Sequence, residues 1–199
     1  FSVWPERGDG ESRIQHVRNA NRIHSIERGE RPQIAPGSQF AASLVRPPFL
    51  DVENASNNNR PLNGLALVNL GNSEQTDFDE VQRFDFTADG KWLIIRHIRP
   101  KSLDDAAKVN SNIAAPVTLV SLPSGYTRTI DFVSEIAPDS TGRHLVYAIS
   151  DSLTSNNGLY YMDLSAGESI NPQPIVTGDL SYFGNITWDN SRGRIGYTS

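Results

Sequence analysis

Asp85-Phe86-Thr87-Ala88-Asp89-Gly90, followed at once by Lys91-Trp92-Leu93-Ile94-Ile95-Arg96-His97-Ile98, sets a tight polar turn between two apolar runs. Asp-Gly in that position is a strong hairpin signal, because glycine accepts the positive φ that a tight turn imposes. The pattern recurs as Gln33-Ile34-Ala35-Pro36-Gly37, Glu135-Ile136-Ala137-Pro138-Asp139 and Asn185-Ile186-Thr187-Trp188-Asp189. Aligned on Ile34, Phe86, Ile136 and Ile186, the copies are 52, 50 and 50 residues apart. A period of this size with strand-like content identifies a stacked or radial repeat.

Each copy continues into a second strand: Phe40 to Val45, Lys91 to Ile98, Arg143 to Ile149, and Arg194 to Tyr197. A third follows as Gly64 to Leu70, Pro116 to Leu122 and Gly158 to Leu164, and a weaker fourth around Thr76 to Phe78, Tyr126 to Ile130 and Pro174 to Val176. Four antiparallel strands per unit of about 50 residues describe a propeller blade. The expected fold is therefore all-β, a β-propeller of about four blade equivalents and a partial one. Its expected divisions are a partial blade over 1–31, blades over 32–83, 84–133 and 134–184, and the start of the next over 185–199. Phe1 to Trp4, Arg13 to Val17 and Arg22 to Ile26 supply the strands of the first piece.

Two long loops interrupt the repeat. Pro47 to Pro61 reads as an exposed loop, and Pro100 to Pro116 carries a capping-box pair, Ser102 and Asp105, that predicts one or two helical turns.

The bulk composition excludes several function classes. The 199 residues carry a formal charge of −5, which argues against a nucleic-acid surface. There are no cysteines, so disulfides, thiolate metal sites and thiol catalysis are excluded. No apolar run approaches the length of a spanning helix, and Phe1-Ser2-Val3-Trp4 lacks the features of a signal peptide. That start reads as mid-strand, so a longer parent is expected.

The chemistry-bearing residues read as structural. His16, His24, His97 and His144 lie on different strands, at spacings that match no zinc pattern. Asp89, Asp139 and Asp189 fit turn chemistry, in which the carboxylate bonds its own downstream backbone, better than calcium loops. Asp77, Asp79 and Glu80 form an acidic cluster read as a solvated turn. Trp4, Trp92, Trp188, Tyr147, Tyr160, Tyr161 and Tyr197 fall on strands and are assigned to packing between blades. Asn54-Ala55-Ser56 and Asn185-Ile186-Thr187 match the glycosylation acceptor pattern. No catalytic, cofactor-binding or metal-binding residue is assigned, and no cofactor is expected.

The runs Phe86-Thr87-Ala88-Asp89-Gly90-Lys91-Trp92-Leu93 and Ile136 to Tyr147 resemble those of WD40-like propellers of the TolB and prolyl oligopeptidase type. Gly8-Asp9-Gly10-Glu11, Arg28-Gly29-Glu30-Arg31-Pro32, Pro47-Pro48-Phe49 and Pro61-Leu62-Asn63-Gly64-Leu65 are similar to the N-terminal region of bacterial S9-family serine peptidases. The resemblance implies a propeller that caps an α/β-hydrolase domain bearing a Ser-Asp-His triad. None of that triad falls within these residues, so the expected role is an access filter, inactive alone. The alternative is a non-enzymatic TolB-like propeller for binding or assembly. The implied partners are the hydrolase domain, further blades, or a second copy meeting exposed strand edges. The implied compartment is periplasmic or extracellular, with the cytoplasm as the alternative.

Overall fold

The computed structural model describes residues 2–3, 9–37, 39–56, 59–100, 114–151, 156–178, 181–189 and 193–199. The chain divides into two compact units, 1–84 and 85–199. The helical turns expected after Ser102 lie outside the described residues.

The first unit holds two sheets. Strands β1 (Ser2–Val3), β2 (Glu11–His16) and β3 (Asn19–Glu27) form an antiparallel three-stranded sheet in chain order. Strands β4 (Gly29–Ile34), β5 (Phe40–Val45), β6 (Gly64–Asn69) and β7 (Gln75–Phe78) form a complete four-stranded blade, also in chain order. Between β5 and β6, where the sequence reads as an open loop, a short helix α1 runs from Phe49–Asn54. It has no side-chain cap and buries none of its residues, so a sequence pattern of amphipathic spacing had nothing to record.

These two sheets share a small core of Ile14 and Ile26 against Ala41, Ala66 and Val68. Their polar contact is equally close. Ser43 Oγ donates to the Glu30 carbonyl at 2.8 Å, which leaves Ser12 to donate to Ser43 Oγ across 3.0 Å. Both serines are fully buried. The approach depends on Gly29, where an added Cβ would stand 2.8 Å from Ser12 Cβ and 2.9 Å from the Ile26 carbonyl oxygen.

The second unit contains most of a continuous seven-stranded antiparallel sheet. Its strands are β8 (Val81–Phe86), β9 (Trp92–His97), β10 (Ala115–Ser121), β11 (Thr127–Pro138), β12 (His144–Ile149), β13 (Gly158–Asp163) and β14 (Gln173–Thr177), again in chain order. Two blades are fused here, because strand four of one and strand one of the next run together as the twelve-residue β11. The break between them is at Phe132, whose φ of 56° turns the strand. Before it β11 pairs with β10, after it with β12, and Val133 sits at the hand-over, paired with both Ala115 and Ile149. A final hairpin, β15 (Gly184–Trp188) and β16 (Ile195–Thr198), forms a separate two-stranded sheet.

The core explains why strand two of the complete blades (β5, β9 and β12) is apolar without alternation. In β12, Leu145 and Tyr147 pack toward Trp92, Ile94, Val117 and Leu119 of the preceding blade. Val146 and Ala148, on the opposite face, pack against Phe183 and Ile186 of the next. A strand covered on both faces has no solvent side to carry polar residues. The fold is a partial β-propeller whose sheets remain open.

Candidate functional site

The recurring turns close identically. The N–H groups of Ala35, Thr87, Asp139 and Asp189 donate to the carbonyls of Phe40, Trp92, His144 and Arg194, each five residues on. This places Thr87, not Asp89, at the position of Asp139 and Asp189. The closing residues are thus 52, 52 and 50 apart.

Asp139 Oδ1 accepts the N–H groups of Arg143 at 2.9 Å and His144 at 3.1 Å, while Thr141 Oγ1 donates to Oδ2. Asp189 Oδ1 accepts those of Gly193 and Arg194 in the same way. In the earlier blade two residues divide the task. Thr87 Oγ1 accepts Trp92 N–H at 3.0 Å and donates to Asp89 Oδ1, which also accepts Lys91 N–H. Burial acts to raise the Asp139 carboxyl, but the bonds from Thr141, His144 and Arg143 outweigh it and hold the group below its ordinary value. Each of these carboxylates is engaged in closing its own hairpin, as the turn reading expected.

The bulges of strand one are the feature the sequence did not announce. Three ladders between strands one and two gain one residue on strand one: between Glu30 and Gln33, Val133 and Glu135, and Gly184 and Thr187. A bulge leaves backbone groups outside the ladder, and these need other partners. Ser43 takes the Glu30 carbonyl, and Arg96 Nη2 donates to the carbonyls of Val133 and Ser134 at 3.2 Å each. Glu135 accepts Asn185 N–H at 2.7 Å and Ile186 N–H at 2.8 Å.

The histidines stay apart in role. His97 Nε2 lies 2.9 Å from Thr118 Oγ1, itself 2.9 Å from Thr129 Oγ1. His144 Nδ1 lies 2.8 Å from Tyr161 OH, and the two rings stack. Tyr147 stacks on Tyr160, and its burial pushes the phenol up to about 12. Trp92 and Trp188 donate through Nε1 to the Leu164 and Ala137 carbonyls, the packing role expected between blades. Asp77 is exposed and accepts from Gln75 Nε2, and Glu80 adopts a positive φ in the turn after β7. Asn54 is exposed at the end of α1, whereas Asn185 donates its side-chain amide to Thr198 Oγ1. Among the described residues no three His, Asp or Glu side chains gather as a metal site, and no helix is long and apolar enough to cross a membrane.

His16 and His24 do share a place. They line an open cleft of about 670 Å³ in the first unit, between the tip of the β2–β3 hairpin and the end of β6. Ile14, Ile34 and Leu70 supply apolar lining, with Arg18 and Arg22 beside them. One signal in the sequence bears on it: residues 12–26 hold three arginines and two histidines and no acid.

The fold and these turns define a propeller scaffold. No family model and no curated protein matches the sequence. Among solved structures, the chain is similar to the β-propeller domain of the trilobed protease from Pyrococcus furiosus (TM-score 0.48, 8% identity, 88% of this chain and 52% of that one). It is similar also to the tricorn protease (TM-score 0.47, 13% identity, 87% and 16%) and to prolyl oligopeptidase B from Galerina marginata (0.43, 12%, 80% and 24%). The chain spans about half of the first of these and a quarter or less of the others. They are likenesses of fold, at identities too low to carry over any residue's role.

Proposed function

We propose that this chain is the propeller portion of an S9 prolyl-oligopeptidase-type serine peptidase, a cap that limits access to a hydrolase active site carried elsewhere in the polypeptide. The observation that carries the reading is that the runs resembling propellers of the TolB and prolyl oligopeptidase type form the blade hairpins themselves. The Phe86 to Leu93 and Ile136 to Tyr147 runs close turns 52 residues apart with the same backbone bond. The carboxylates of those turns are bound to backbone N–H groups and hydroxyls, which suits a rigid filter and leaves them unsuited to acid–base work. A rigid scaffold of this kind selects by size, admitting short peptides and refusing folded proteins.

The test compares two proteins on two substrates. The full-length gene product hydrolyses a short proline-containing p-nitroanilide peptide and leaves folded casein-sized proteins intact, while residues 1–199 alone hydrolyse neither. Hydrolysis by residues 1–199 alone overturns the reading. A full-length product with no peptidase activity moves the assignment to a non-enzymatic, TolB-like binding propeller.

A further inference from the structure

We propose that the cleft at the tip of the β2–β3 hairpin binds the carboxyl-terminal end of a peptide whose last residue is apolar. Three observations meet there. The first is shape: about 670 Å³ lies within the roughly 300–1,000 Å³ of small-ligand sites, room for a few residues and not for a folded domain.

The second is charge. Arg18 and Arg22 line the cleft with His16 and His24, and no Asp or Glu is among the lining residues, on a chain whose net charge is −5. Three other arginines of the same unit are matched, Arg13 with Glu11, Arg28 with Glu27 and Arg46 with Glu30. Arg18 and Arg22 join no ion pair among the described residues, and both are exposed. His16 Nδ1 accepts the Arg18 backbone N–H at 3.1 Å, so a neutral ring carries its proton on Nε2 and offers a further donor. Guanidinium groups match the planar, two-oxygen geometry of a carboxylate.

The third is the apolar surface next to that charge. Ile34 is 53% exposed and Val17, at the hairpin tip, is fully exposed, beside the buried Ile14. A ligand with an apolar body and one carboxylate covers the first group and neutralises the second. A peptide end has that chemistry. That the carboxylate belongs to a peptide rests on the peptidase reading above, whereas the anion and apolar requirements rest on the cleft itself.

The experiment uses residues 1–199 and three probes in fluorescence anisotropy or competition: an N-terminally dansylated hexapeptide ending in Ala-Leu with a free carboxylate, the same peptide amidated, and decanoate. The free acid is expected to bind with a dissociation constant below about 1 mM. Amidation, or the double substitution Arg18→Ala and Arg22→Ala, weakens it at least tenfold. Both arginines are exposed, so the variant keeps its thermal melting point, and the Arg18→Lys, Arg22→Lys pair, which keeps the charge and loses the planar fork, binds more weakly than the native chain and more tightly than the alanine pair. Equal binding of acid and amide, unchanged binding by the alanine pair, or no binding at millimolar peptide overturns the inference. Binding of decanoate without the peptide overturns it as well. Peptide binding alongside an inactive full-length product supports the cleft and removes only the peptidase reading.

Discussion

Asp139 does with one carboxylate what Thr87 and Asp89 divide between them. Its carboxyl lies below the ordinary value of 3.8, so the folded state favours the charged form. Stability from this group is complete above the ordinary carboxylate value and is lost as pH falls through the lower folded one. Asp163 is shifted in the same direction, chiefly by its bond from the Ser165 hydroxyl. Asp139→Asn is therefore expected to cost about 1–2 kcal/mol near neutral pH. Thermal melts of the variant should also fall less steeply than native ones between pH 4 and pH 2. Parallel acid profiles would contradict this. A glycine pair separates turn geometry from crowding. Gly125 (φ +71°) has nothing within 4 Å of an added Cβ, whereas at Gly142 (φ +74°) that Cβ would stand 2.7 Å from Asp89 N and 2.9 Å from Ala88 N. Gly125→Ala is expected to cost about 1 kcal/mol and Gly142→Ala more than about 2 kcal/mol by denaturant unfolding.

Among the elements, the hairpins and third strands were legible in the sequence because their determinants are local. Asp89-Gly90 gives the turn, with Gly90 at φ +65°, and the apolar run of β12 reports cover on both faces. The bulges were not legible. Arg31, Phe132 and Asn185 adopt positive φ, a conformation no local preference of arginine or phenylalanine announces. It is held by contacts from residues far along the chain, as in the reach of Glu135 to Asn185 and Ile186. The cleft was illegible for the same reason: its walls come from segments about 50 residues apart, although the acid-free run 12–26 marked one wall. Glu135→Ala should release the start of β15. Hydrogen exchange at the Asn185 and Ile186 amides is expected to speed at least tenfold, while β9 and β10 stay protected. Unchanged exchange at those two amides would show that the carboxylate is not what holds the bulge.

At the scale of the molecule, the sheets are open and the second unit carries two blades on one continuous strand, with the short β15–β16 hairpin beside them. Under the proposed function such a structure is a wall or a frame, and nucleophilic chemistry belongs outside it. Labelling with a fluorophosphonate, which reacts covalently with activated serines, tests that placement most directly. The full-length gene product should label at a single serine outside residues 1–199, with simultaneous loss of peptide hydrolysis. Residues 1–199 alone should take up no label. A labelled serine within residues 1–199, or a full-length product that neither labels nor hydrolyses peptides, would contradict the account.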